Sequence, residues 1–111
     1  MKTVVFVKAQ FEGFHRWANA PDDVAFLQNY HRHIFFAELG VEVTHADRDV
    51  EFFQLKRKVE AFLSKMYKGQ QFEKSCEMVA AEIAGQFQEQ GYNVSYVTVS
   101  EDNENGATIT L

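Results

Sequence analysis

Apolar and polar residues alternate through residues 3–12, with Val5, Val7, Ala9 and Phe11 on one face and Lys8, Gln10 and Glu12 on the other. A period of two predicts a half-buried strand. Residues 18–24, with Asn19, Pro21, Asp22 and Asp23, carry turn chemistry and predict a loop. From His31 to Thr44, β-branched and aromatic residues become dense again, predicting a second long strand or a bent pair, with Gly40 as a bulge or turn. The period then changes. Phe52, Leu55, Val59, Phe62, Leu63 and Met66 recur at helical spacing, with Asp47 and Asp49 expected to cap the start and Lys68-Gly69 to end the helix. A second helical stripe follows in Phe72, Cys76, Val79, Ala80, Ile83, Ala84 and Phe87, stopped by Gly91. Tyr92 to Ser100 reads as a strand, residues 102–106 as a hairpin turn, and Ala107 to Leu111 as a closing strand.

The order is β-β-α-α-β-β, with no internal repeat. It predicts an α+β fold in which two helices cover one face of a four-stranded antiparallel sheet. A length of 111 residues with one Pro and six Gly predicts one domain spanning 1–111, without a flexible linker. Eleven Phe in so short a chain suggest a well-filled core and apolar surface left over for a subunit interface.

Charge and cysteine content narrow the function classes. A net charge of −5 argues against a nucleic-acid partner, since phosphate binding needs a concentrated positive surface. The Lys56-Arg57-Lys58 triplet, bracketed by Glu51 and Glu60, reads as the solvated face of a helix. Cys76 is the sole cysteine, which forbids an intrachain disulfide and fits a reducing cytoplasm. Lys8, Gln10 and Glu12 interrupt the first apolar stretch too early for a signal peptide, and no segment approaches membrane-spanning length.

The chemistry-bearing residues are histidines. His31 and His33 are two apart on a strand and so share a face. If the first two strands pair antiparallel, His15, at the end of the first, comes to the same place. Three neutral imidazoles with an open fourth position are what a catalytic zinc site requires. Spacing alone favours surface or core histidines satisfied by neighbouring polar groups over a metal site. Thr44-His45-Ala46-Asp47-Arg48 could supply a replacement acid–base pair, but reads better as a helix cap with a surface histidine. Trp17, Phe35 and Phe36 could stack on a flat ligand, or belong to the core.

Five segments in order carry a family resemblance: Phe14-His15-Arg16-Trp17; Tyr30-His31-Arg32-His33-Ile34-Phe35; Val50 to Lys56; Lys74-Ser75-Cys76-Glu77-Met78-Val79-Ala80; and Val97 to Asn103. Together they resemble the 6-pyruvoyl- and 6-carboxy-tetrahydropterin synthase family, with its A-H-R-L, L-H-G-H, V-x-D-F-x-x-L-K, P-T-S-E-x-x-A and V-x-V-x-E-T segments. The resemblance implies the tunnelling fold, in a short and divergent form. It also implies zinc on His15, His31 and His33, and Glu101 gripping the N–H edge of a pterin- or purine-like ring. Such an edge presents two parallel donors to a carboxylate. Ser75 and Cys76 would contact the same ring from a helix start. A homo-oligomer, often a hexamer, with pockets between subunits is implied as well. On the residues alone, Glu101 reads as a solvated carboxylate beside a polar hairpin.

The sequence also departs from the family pattern. No cysteine lies between Val24 and Tyr30, where the family's catalytic Cys belongs, and no Asp-His unit lies between Ser64 and Glu73. Arg32 replaces the glycine between the two histidines and adds a cation on the opposite face of its strand. Cys76 reads as helix core or pocket wall rather than a relocated nucleophile. Three functions therefore compete: a zinc-dependent lyase of the synthase type with altered proton-transfer groups, a non-catalytic binder of a purine-, pterin- or nucleotide-like molecule, and a structural oligomer without ligand.

Overall fold

The computed structural model describes all 111 residues. The elements are β1 (Thr3–His15), a 3-10 segment (Asp22–Gln28), β2 (His31–Val43), α1 (Phe52–Met66), β3 (Gln71–Phe72), α2 (Cys76–Glu89), β4 (Asn93–Glu101) and β5 (Asn105–Thr110). The sheet order is β3-β1-β2-β4-β5. Pairings are antiparallel except that of β3, which runs parallel to the end of β1.

The sheet therefore has five strands, not the four expected. The fifth is two residues long and gives no periodic signal. Its cause is the edge of β1, whose polar groups would otherwise lack partners. Phe14 N–H donates to the Gln70 carbonyl at 3.0 Å, and Gly69 N–H donates to that of Glu12 at 2.8 Å. Phe72 consequently lies on β3 rather than on the α2 stripe, and its ring packs against Phe11, Phe35 and Tyr67. The expected loop at 18–24 contains the start of the 3-10 segment.

Helix α1 is capped by Glu51, not by Asp47 or Asp49. The Glu51 carboxylate accepts the N–H of Phe53 at 2.6 Å and of Gln54 at 3.3 Å, satisfying donors that every helix start leaves free. Asp49 instead accepts both the backbone N–H and the hydroxyl of Thr44. Gly40 lies where the β2–β4 register shifts, with the Tyr96 ring laid against its bare Cα.

Alternation along the strands puts one face against the helices. Val7, Ala9 and Phe11 of β1, Phe35, Ala37, Leu39 and Val41 of β2, and Val94, Val97 and Val99 of β4 meet Leu55, Val59 and Leu63 of α1 and Val79, Ile83 and Phe87 of α2 in one core. Both helices thus lie on the same face. Phe11 and Phe35 stack with centroids 5.0 Å apart. That same alternation carries His15, His31, His33 and Glu101 onto the helix-covered face, at the end where α2 begins. No helix is long and apolar enough to cross a membrane.

Candidate metal centre

Antiparallel pairing sets His15 directly opposite His31, and Gly13 opposite His33. On the other side of β2, Phe35 pairs with Glu101. One nitrogen from each of the three imidazoles lies within 4.8 Å of the others. The rings meet edge to face, with centroids 4.6 Å (His15–His31), 5.4 Å (His15–His33) and 4.9 Å (His31–His33) apart. Phe35, wholly buried, forms the floor beneath His15 and His33.

Each ring is oriented through Nδ1. His15 Nδ1 donates to the Lys74 carbonyl at 3.0 Å, His31 Nδ1 to the Asn29 carbonyl at 2.9 Å, and His33 Nδ1 to the Asp102 carboxylate at 2.6 Å. These partners only accept, so Nδ1 carries a proton, and in the neutral form each ring turns the Nε2 lone pair inward. Metal-ligating histidines show the same outer support. His31 Nε2 is buried with no hydrogen-bond partner. His15 Nε2 and His33 Nε2 lie 3.2 and 3.1 Å from Oε1 and Oε2 of Glu101. Lone pairs cannot face a carboxylate at that range without a cation between them, whether a proton on each ring or a metal. The donor set therefore fits a zinc-type ion.

Electrostatics follow from the same contacts. Burial pulls the His15 pKa down, but hydrogen bonds to Glu101 and the Lys74 carbonyl, with the Glu101 charge, outweigh it and leave the pKa raised. Glu101 is held below the usual carboxylate range by its bond to His15, against the opposing effect of burial and with help from the histidine charges. Asp102 is held low by His33 and by the Ile34 N–H, which donates to Oδ1 at 3.0 Å.

Beside the histidines lies a cavity of about 550 Å³, lined by Arg16, Trp17, Leu27, Lys74, Ser75, Cys76, Met78 and Glu101 among others. That volume is in the range of small-molecule sites. Ser75 caps α2, its hydroxyl accepting the Met78 N–H at 3.2 Å. The Cys76 thiol is pushed up to about 12 by burial first and then by the Glu101 and Glu77 charges, so it is protonated at neutral pH. Lys74 is anchored through its amine to Glu82, which also accepts the Tyr67 hydroxyl. Arg16 is paired with Glu73 at 2.9 Å.

His45 and Asp47 do not join the site. They follow the far end of β2, whose length separates them from His31 by roughly 40 Å at the usual strand rise. There His45 Nδ1 accepts the Asp47 N–H. Of the aromatic candidates, Trp17 lines the cavity, Phe35 is core, and Phe36 points to the opposite sheet face. Arg32 also lies on that opposite face, paired with Glu12 at 2.7 Å. Asp102 is a site residue that sequence reasoning assigned only to a turn. The Asn29 and Lys74 carbonyls leave no trace in side-chain identity.

An α+β tunnelling-fold domain with a three-histidine cluster at one sheet end is the class these observations define. Among solved structures, the chain is similar to 6-pyruvoyl tetrahydropterin synthase from Caenorhabditis elegans, with a TM-score of 0.77, 14% identity, and coverage of 100% of this chain and 96% of that one. It is equally similar to an uncharacterized protein from Wolinella succinogenes, with a TM-score of 0.77, 12% identity, and coverage of 99% and 98%. At such identities the likeness is one of fold. No protein-family model and no curated protein sequence matches the chain.

Proposed function

We propose that the protein holds zinc on His15, His31 and His33 and binds a pterin- or purine-like heterocycle in the adjoining cavity, without the chemistry of the synthase. The observation that carries this reading is the buried, unpartnered Nε2 of His31. A buried nitrogen without a partner is costly, and a metal would satisfy it together with the two Nε2 atoms that face Glu101. Zinc bound there would act as a Lewis acid toward an oxygen or nitrogen of the ligand.

The chain's own groups divide the remaining work. Glu101 would accept two parallel N–H donors from an amino-pyrimidinone edge. Ser75 and Cys76, at the start of α2, border the cavity on the side where that ring would lie. Trp17, half exposed at its rim, offers a face for stacking. Synthase chemistry needs proton-transfer groups at the ligand's side chain. The cavity wall offers one thiol, held protonated, and no histidine outside the triad besides. Binding is therefore favoured over turnover.

Assembly into a homo-oligomer belongs to the same reading. Trp17, Phe26 and Met78 expose large apolar surface on or near the cavity rim, which a second subunit would cover. The single buried thiol agrees with a reducing, cytoplasmic setting.

Calorimetric titration of the zinc-loaded protein with neopterin and with guanine tests the binding function. Saturable heat from either ring, with no conversion of a dihydroneopterin triphosphate-type substrate, is the expected result. Turnover would restore the enzyme reading, and no heat from any ring would remove the heterocycle from it.

A further inference from the structure

We propose that Glu101 is itself a fourth metal ligand that closes the centre in the resting protein, so that a heterocycle which engages Glu101 must first draw it off the metal. The inference rests on the metal reading of the three histidines and deepens it.

The separations carry the argument. In a tetrahedral shell with bonds of about 2.0–2.1 Å, neighbouring donor atoms stand about 3.3–3.4 Å apart. Glu101 Oε1 is 3.2 Å from His15 Nε2, and Oε2 is 3.1 Å from His33 Nε2. The carboxylate thus stands off two of the histidine nitrogens at close to the spacing of co-ligands. Its position is set by rigid structure: Glu101 ends β4, in register with Phe35 of β2, and follows Val97 and Val99 on the core-facing side. Neutral imidazoles present no donor at Nε2, so the carboxylate is held to them through a cation, either a proton on each ring or one metal that they share. Beyond the histidines, Cys76 Sγ is a distant 3.9 Å from Oε1.

A consequence follows for the cavity. A carboxylate with one oxygen bound to the metal keeps only the other fully free, so it cannot offer a ring two parallel acceptors. Ring binding and coordination by Glu101 therefore exclude each other, and occupation of the cavity frees one coordination position. The centre is a closed store of metal until a heterocycle arrives.

The test loads the wild-type protein, E101Q and E101D with cobalt(II), records the visible absorption, and then adds azide as a small external ligand. A closed site gives a wild-type four-coordinate spectrum that azide leaves unchanged. E101Q then shows an altered spectrum that azide shifts, and zinc affinity falls by more than the roughly tenfold lower bound known for loss of an outer-shell partner. E101D, too short by one methylene to reach, takes up azide in the same way and serves in place of E101Q if that variant does not fold. A wild-type spectrum shifted by azide as readily as that of E101Q, or an E101Q spectrum identical to wild type, overturns the inference and leaves the three-histidine centre standing. Failure of the wild type to take up cobalt at all overturns the metal reading, and this inference with it.

Discussion

Asp102→Asn probes how the centre is oriented. Asp102 Oδ2 accepts from His33 Nδ1 at 2.6 Å, Oδ1 accepts the Ile34 N–H at 3.0 Å, and its own N–H donates to the Ile34 carbonyl at 2.7 Å. Asn keeps the last two bonds. It also suits the left-handed backbone at this position, where φ is 52°. What it removes is the acceptor for His33. The amide nitrogen would face Nδ1–H donor to donor, and His33 would regain a bond only by moving its proton to Nε2, the tautomer that cannot bind metal through that inward nitrogen. Outer-shell substitutions of this kind lower metal affinity about 10–100-fold. Competition for zinc against a chromophoric chelator measures the effect, with the melting temperature of the metal-free protein as the control for folding. An affinity within about twofold of wild type would refute the role given to Asp102.

Three further outcomes are expected. Glu101 has a lowered pKa, so its share of stability is present above the ordinary carboxylate pKa and lost as pH falls through the folded value; His15 has a raised pKa, so its share is complete below about 6.5 and lost as pH rises through the folded value. This pair therefore stabilises the metal-free protein most between roughly pH 4.5 and 6.5, and a chelator should make the melting temperature fall above that window while zinc-loaded protein holds; a flat metal-free profile would count against the pairing. Gly40→Ala drives a methyl into the Tyr96 ring and should cost about 1–3 kcal/mol in urea unfolding, partly recovered in Gly40→Ala/Tyr96→Ala; no loss in the single variant would refute the contact. Cys76, with its thiol near 12 and its side chain buried, should react with iodoacetamide at mildly alkaline pH more than about 100-fold slower than a free thiol, and reaction at the free-thiol rate would reopen the relocated-nucleophile reading.

What was legible in the sequence was whatever follows from period and pairing. Residues two apart on a strand share a face, so His31 and His33 had to converge, and antiparallel pairing of two long strands brought His15 to them. The helical stripes of Leu55–Val59–Leu63 and Val79–Ile83–Phe87 were legible for the same reason, because each buries one side on the sheet. Features set by single tertiary contacts were not. Strand β3 exists because the edge of β1 needs partners, and two residues leave no pattern. Glu51 displaced the aspartates as cap because its longer side chain folds back onto the free N–H groups while Asp49 is committed to Thr44. Asp102 reaches His33 only through a left-handed turn that joins β4 to β5, and nothing in local spacing reports which side chain such a turn presents.

Metal content tests the central claim most directly. It should be measured on protein purified without an affinity tag, with wild type and His31→Ala side by side. About one zinc per chain in the wild type, lost when the unpartnered Nε2 is removed, is the expected result. No zinc in the wild type, and none taken up when zinc is added, would contradict it and leave a borrowed fold whose histidines serve another end.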